Sequence, residues 1–294
     1  MPPLGTLRTC IVIPVHNRKR LTLQCLDCLR WCADDSTWKI ILVDDGSTDG
    51  TGEAVATLHP HVEIVKGDGK RFWTGAMQLG MARALEMGAT EIVWLNDDTF
   101  PDEASLRRTE DLVRRNPTWM IASTALLEGT PQASCSLHRR GVIPERGALL
   151  DADVLAGYQV AFSADVVRKI GLPDARRWPH YGGDSSFTRT AHNVGFQLKV
   201  DGDSFIVLNE APPRHDVADA FWKHDESLSA RMQRTFFSTS SRYRLRSLWH
   251  LDRLYRGIFG AMAVFPARLA VMAWKIILHP RSRLLSATHP EVTA

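Results

Sequence analysis

The chain has 294 residues, of which 44% are hydrophobic and 23% charged, with a formal net charge of +3. These are the proportions of an ordinary soluble globular protein, large enough for one α/β domain plus an appendage. The chain carries no internal repeat or low-complexity tract, and no uninterrupted apolar stretch reaches the length of a clear membrane span.

The net charge hides an asymmetry. Residues 231–283 carry eleven Lys/Arg and a single acid, Asp252, a local charge of +10, so the remainder carries −7. An acidic body with a basic tail directs the tail towards an anionic surface.

In chain order, Met1–Thr9 is turn-like rather than leader-like, and the expected location is the cytoplasm. Thr9–Val15 reads as a buried strand. Lys19–Trp31 reads as a helix that places Leu21, Cys25, Cys28 and Leu29 at helical spacing. Lys39–Val43 is a second strand, Ser47–Leu58 a helix signalled by Ser47, Thr48 and Asp49, and Val62–Val65 a third strand. Phe72–Met87 reads as a helix stopped by Gly88. Ile92–Leu95 is a strand, Glu103–Arg115 a helix and Trp119–Ser123 a strand. Repeated β–α units predict a mostly parallel sheet with right-handed crossovers. The five cysteines are expected to be reduced, with Cys25, Cys28 and Cys32 as small thiols facing the core.

Beyond Thr124 the pattern changes. Residues 125–150 read as irregular, Tyr158–Phe162 as a strand, and Ala164–Ile170 and Asp184–Val194 as helices. Phe196–Lys199 and Phe205–Leu208 read as two short strands. From Asp225 to about Leu278 the chain reads as helix. The expected division is a body of residues 1–224 and a basic amphipathic helical region of residues 225–294. Within the latter, Gly257–Leu278 is apolar but interrupted by Pro266, Arg268 and Lys275. Those charges favour a helix lying at a membrane surface over one that spans it. A helical hairpin folded onto the body and a homodimer contact are the alternatives.

Several chemically loaded stretches fall at predicted strand ends. The first strand ends in Ile13-Pro14-Val15-His16-Asn17-Arg18 and the second in Val43-Asp44-Asp45-Gly46-Ser47-Thr48-Asp49. The fourth ends in Leu95-Asn96-Asp97-Asp98. In open α/β sheets the carboxyl edge is where ligands bind. Two adjacent carboxylates repel and call for a counter-charge. A hard divalent cation shared with a phosphate meets that need. An aspartate such as Asp45 at another strand end suits a base imide N–H or a ribose hydroxyl, although capping the next helix is its ordinary structural role.

These stretches, together with Tyr181-Gly182-Gly183-Asp184-Ser185-Ser186-Phe187 and Arg189, resemble the inverting family-2 glycosyltransferases of the GT-A fold. The likeness covers roughly residues 9–215, and bacterial rhamnosyltransferase-like members resemble the chain most. The resemblance implies an α/β, Rossmann-like sheet with flanking helices and a C-terminal helical extension. It also implies a nucleotide-diphosphate sugar donor, of UDP or dTDP type, and a glycan or lipid-linked acceptor.

By resemblance, Pro14, Val15 and Asn17 line the base and ribose, and Asp45 reads the base. Residues 67–75 form a loop that meets the nucleotide, with Arg71 as a phosphate or base partner and Trp73 as a wall of the sugar pocket. The acidic tetrad matches the family's DXD motif only in part. Asn96 stands where an aspartate is usual, Asp97 is the middle residue, and Asp98 is the ligand for Mn2+ or Mg2+. His215 matches a second metal ligand, with His224 as its substitute. Asp184 matches the general base, with Gly183 in the place of a frequent acidic neighbour. Trp178, His180 and Tyr181 suit either an acceptor platform or the core.

The implied enzyme extends a bacterial surface glycan or its lipid-linked precursor from the cytoplasmic face of the membrane. A sugar-nucleotide nucleotidyltransferase would need a glycine-rich loop where Pro14-Val15-His16-Asn17 stands. A non-enzymatic nucleotide-sugar binder at the membrane is the other alternative. Nucleic acid is not expected as a partner, because the basic residues of the tail alternate with Leu, Trp and Tyr as in packed helices.

Overall fold

A computed structural model describes residues 9–137, 140–210 and 216–278. The chain separates into two compact units, residues 1–212 and 213–294.

The first unit opens with three parallel strands in sequence. These are β1 (Thr9–Val15), β2 (Trp38–Asp44) and β3 (Glu63–Lys66), joined by α1 (Lys19–Cys28), a 3₁₀ turn (Arg30–Ala33) and α2 (Thr51–Leu58). Next come α3 (Phe72–Glu86), β4 (Glu91–Leu95), β5 (Thr99–Pro101), α4 (Glu103–Arg115) and β6 (Trp119–Leu127). Short strands β7 (Thr130–Gln132), β8 (Cys135–Leu137), β9 (Arg140–Val142), β10 (Leu149–Ala152) and β11 (Val154–Leu155) follow. The unit closes with β12 (Gln159–Ser163), α5 (Ala164–Ile170), α6 (Gly183–Asn193) and β13 (Gln197–Leu208).

The main sheet has the order β10-β13-β6-β12-β4-β1-β2-β3. Strand β1 pairs in parallel with both β2 and β4, while β12 is antiparallel to β4 and β6. The chain therefore winds outward from β1 to β3 and then returns to start the other side at β4. That reversal opens a crevice beyond the carboxyl ends of β1 and β4.

Every residue of β1 is buried, as expected of a parallel strand covered on both faces. Alternate side chains go to opposite layers. Cys10 and Val12 pack with Met77, Met81 and Trp94 under α3, whereas Ile11, Ile13 and Val15 pack with Cys25, Leu26 and Leu106 under α1 and α4. Cys25 and Cys32 are buried and Cys28 partly so, and all five cysteines are free thiols.

Three local expectations change. Residues 125–150 contain the short strands β7–β10, and β8, β9 and β11 form a small second sheet. The two short strands expected at 196–208 are one strand, β13, whose register against β6 shifts between Asp201 and Phe205. Asp201 is fully buried there and accepts from Arg108, which bridges the irregularity from α4. The helix expected from Asp225 onward is divided, as the second unit shows.

That unit comprises α7 (Val217–Trp222), α8 (Leu228–Met232), a π-helical turn (Gln233–Phe237) and α9 (Leu245–Leu278). Arg234 donates to the carbonyls of Ala220 and Phe221 and so satisfies the end of α7. Val217, Phe221, Phe236 and Met272 form its small core. Helix α9 is broken at Gly257, where φ is 70° and ψ 179°. Residues 16 apart on a straight helix lie about 24 Å from each other. Here Trp249 and Phe265 meet edge to face with ring centres 5.3 Å apart, and Arg268 forks onto the buried Asp252. The limbs 245–256 and 258–278 therefore fold back against one another.

Candidate active site

Several of the predicted residues, among them Asn17, Asp45, Trp73, Asp98 and Asp184, lie in the first unit around the first turn of α3 and the ends of β1, β2 and β4. From β1, Pro14 and Val15 are buried while His16 and Asn17 are exposed. Asn17 has φ 53° and accepts from Thr48 N through Oδ1, and its own N–H donates to Ser47 Oγ. These bonds tie the β1 end to the β2 end. His16 Nδ1 lies 2.6 Å from the Asp45 carbonyl.

The adjacent aspartates of β2 do different work. Burial pushes the Asp44 pKa up, but hydrogen bonds from Lys66 and Ser47 outweigh it and hold Asp44 below the usual carboxylate range. Asp45, 4% exposed, accepts three backbone N–H groups, from Gly69 through Oδ1 and from Arg71 and Phe72 through Oδ2. Asp45 thereby fixes the shape of the 67–72 loop. It also holds Phe72 at φ 52°, an unusual conformation for a bulky residue. The Arg71 side chain is exposed beyond this clamp, with Asp68 3.4 Å from its Nε.

Trp73, the second residue of α3, donates its indole N–H to Asn96 Oδ1 at 2.8 Å. It packs edge-on against the buried Trp94 of β4. Its ring also lies under Gly157, where a Cβ would sit 2.7 Å from Trp73 Cζ2 and 3.3 Å from Asp184 Cβ. Only glycine allows that approach, and Gly157 N–H donates to Asp184 Oδ2 at 2.9 Å. Asp184 Oδ1 accepts from the Ser185 N–H and hydroxyl. Asn96, Trp73, Gly157 and Asp184 are thus one contiguous set. A Cβ at Gly183 would fall 2.0 Å from Thr74 Oγ1, a physical reason for glycine at this position.

Of the three aromatic residues shortly before Asp184, Trp178 is buried and abuts Gly182. His180 and Tyr181 are half-buried, their rings 4.4 Å apart, and His180 lies 5.7 Å from Phe72. Arg189 faces Asp153 at 3.6 Å.

At the end of β4, Asp97 is 3% exposed and burial, opposed by Arg18, pushes its carboxyl up to about 7. Thr22 donates to its Oδ2. The Asp98 side chain is 34% exposed, and its backbone carbonyl accepts from Asn209 at the end of β13. Arg18 spans the pair, Nη1 on Asp97 and Nη2 on Asp98, each at 3.0 Å.

Among the described residues there is no cluster of three or more metal-ligating side chains. His215 lies outside the described residues, and His224 is an exposed residue of the second unit. The chemistry of the donor set nevertheless suits a hard cation. Asp98 is a partly exposed carboxylate in a spot that already draws a cationic group, and such metals commonly take one or two carboxylates with the rest from phosphates and water.

Sequence reasoning missed Arg18 and Gly157. Arg18 stood in a quoted motif, but its partners lie 79 and 80 residues away. Gly157 carried no signal, because its requirement comes from Trp73 and Asp184.

The model for glycosyl transferase family 2 matches residues 10–156. A comparison with curated proteins finds no match. Among solved structures, the chain is similar to S. aureus TarS 1–349, with a TM-score of 0.56 at 10% identity over 90% of this chain and 83% of that one. It is similar to GalNAc-T7, solved with UDP, GalNAc and Mn2+, with a TM-score of 0.56 at 12% identity over 93% of this chain and 58% of that one. It is also similar to the mannosyltransferase PcManGT from Pyrobaculum calidifontis, in complex with GDP-Man and Mn2+. There the TM-score is 0.54 at 16% identity, over 96% of this chain and 84% of that one. At such identities the likeness shows a shared fold, the GT-A arrangement of a mostly parallel sheet with flanking helices.

Proposed function

The chain belongs to glycosyl transferase family 2, and from that premise we propose that it transfers a sugar, with inversion, from a UDP- or dTDP-type donor to a hydroxyl of a bacterial surface glycan or lipid-linked acceptor. The observation that carries this reading is the contiguity of Asn96, Trp73, Gly157 and Asp184 beside the β1–β4 crevice. It joins the acidic β4 end and the candidate base in one site.

In this reading Pro14, Val15 and Asn17 line the nucleotide base and ribose. Asp45 serves them by holding the 67–72 loop, which presents the Arg71 guanidinium to the base or diphosphate. Trp73 walls the sugar. Asp184 takes the proton of the acceptor hydroxyl as that oxygen bonds to the anomeric carbon and the bond to the donor diphosphate breaks. Gly157 N–H and Ser185 fix the carboxylate in one orientation, with its position set by the close pass over Trp73. Asp98 is the carboxylate that would hold Mn2+ or Mg2+, with Asp97 supporting the turn. When bound there, the cation supplies charge neutralisation for the departing diphosphate. The Mn2+ in the GalNAc-T7 and PcManGT structures supports this assignment.

The second unit supports a peripheral position at the cytoplasmic membrane face. By length and composition α9 is long and apolar enough to cross a membrane. Its fold-back favours an interfacial position instead. Phe259, Met262, Trp274 and Ile277, between 59% and 84% exposed, follow helical spacing along one side of the 258–278 limb. Arg246, Arg253 and Arg256 are exposed on the other limb and form no ion pair among the described residues. A cavity of about 270 Å³ lined by Phe236, Leu269, Met272 and Ile276 offers further apolar surface. Apolar burial plus basic charge is the combination that binds anionic leaflets.

Thermal shift with a panel of nucleoside diphosphates, with and without Mn2+, tests the donor class. A ligand that binds only the folded state raises the melting temperature by mass action. UDP or dTDP should stabilise the protein, more so with Mn2+, and Asp98→Ala should remove the Mn2+-dependent part. A panel in which no nucleotide shifts the melt at millimolar concentration contradicts the reading.

A further inference from the structure

Asp97 and Asp98 are neighbours in sequence whose carboxylates would repel if left alone. Arg18 leaves the end of β1, crosses the switch-point crevice and places one guanidinium nitrogen on each, at 3.0 Å and 3.0 Å. Among the described residues no other cation pairs with either carboxylate. The planar fork of arginine matches two acceptors in this way, whereas a lysine ammonium is a single point charge. The base of the Arg18 side chain is fixed as well, because its carbonyl accepts from both the N–H and the hydroxyl of Thr22 at the start of α1. Thr22 also touches Asp97, so the fork and its support form one unit.

We propose that Arg18 is the resident counter-cation of this acidic pair and competes for Asp98 with the divalent cation. The inference rests on the reading of Asp98 as the metal-binding carboxylate. With Arg18 in place an incoming dication meets a fixed positive charge on the same carboxylate. A nucleotide diphosphate adds the negative charge that offsets this repulsion and gives the guanidinium a second anion to face. The site therefore takes its metal together with the diphosphate and only weakly before it. Arg18 acts as a positioning residue, coupling the two ligands.

The test is Mn2+ binding to the full-length protein, read by electron paramagnetic resonance of free Mn2+. It compares wild type, Arg18→Gln, Arg18→Lys and Asp98→Asn, with and without UDP or dTDP. Without nucleotide, Arg18→Gln should bind Mn2+ about tenfold more tightly than wild type, with Arg18→Lys between them. The gain in Mn2+ affinity on adding nucleotide should shrink in Arg18→Gln, and by linkage so should the gain in nucleotide affinity on adding Mn2+. Circular dichroism melts establish that each variant is folded, and Arg18→Lys serves if Arg18→Gln is not. The inference is overturned if both Arg18 variants bind Mn2+ alone no more tightly than wild type while Asp98→Asn abolishes nucleotide-dependent binding. If Asp98→Asn leaves that binding intact, the metal assignment itself fails and the inference falls with it.

Discussion

The indole Nε1–H of Trp73 donates to Asn96 Oδ1 across 2.8 Å, which ties the first turn of α3 to the loop that ends β4. Removing the donor with Trp73→Phe leaves the amide oxygen without this partner and costs about 1 kcal/mol. The larger effect should be on donor-sugar affinity, since the same ring backs Gly157, whose N–H holds Asp184. Asn96→Asp keeps an acceptor for the indole and should retain stability, while Asn96→Leu should behave like Trp73→Phe. Equilibrium denaturation of the three variants checks this. Equal stability of Asn96→Leu and wild type would show that the bond contributes nothing.

Asp45 is the next point of leverage. Three backbone N–H groups end on its carboxylate, and an asparagine cannot accept all three without turning its own N–H2 towards a donor. Asp45→Asn should lose about 1–3 kcal/mol of stability and release the 67–72 loop. Limited proteolysis within that loop and a weakened nucleotide affinity should accompany the loss. An intact, protease-resistant loop with poor nucleotide binding would instead assign Asp45 to direct contact with the base.

The acid side of the stability profile should depend on His59. It is 2% exposed, and burial pushes its pKa below the ordinary value of 6.5 against the pull of Asp27 at 3.5 Å, with His61 and Arg30 adding to the depression. The unfolded chain therefore takes up a proton near pH 6.5 that the folded chain resists. Stability should be full above that pH and decline as the pH falls below it, levelling only beneath the folded-state pKa. Urea melts between pH 5 and 8 on wild type and His59→Gln check the sign. An unchanged pH slope in the variant would remove His59 from the account.

The membrane reading makes a separate prediction. Phe259→Ser with Trp274→Ser should abolish flotation with vesicles containing anionic lipid while leaving soluble-acceptor transfer unaffected. Arg253→Gln with Arg256→Gln should weaken flotation in a salt-sensitive manner. If wild type stays at the bottom of the gradient but sediments as a dimer, the stripe is a contact between two copies.

Much of this architecture was legible because β1, β2 and β4 are short apolar runs ending in polar motifs, a pattern that buried parallel strands impose on sequence. Helix α3 was placed to within a residue, since Gly88 closes it. The β13 strand was read as two because Asp201, Gly202 and Asp203 look like a turn, and what keeps the strand running is a long-range fork from Arg108. The division of α9 escaped because Gly257 looks like any isolated glycine until Trp249 meets Phe265. At the site, residue types at strand ends were readable, whereas the bonds that decide their roles were not. Asp45 turned inward to a loop and Arg18 reached to another strand end, and both depend on contacts more than 20 residues distant.

The central claim is that Asp184 is the base of a glycosyl transfer whose donor site is built by other residues. Its most direct measurement is Asp184→Asn, with donor affinity by calorimetry and turnover by product release on the same preparation. The account predicts donor affinity within about twofold of wild type and turnover reduced by about 10²–10⁴-fold. Turnover within a few-fold of wild type, at undiminished donor affinity, would contradict it.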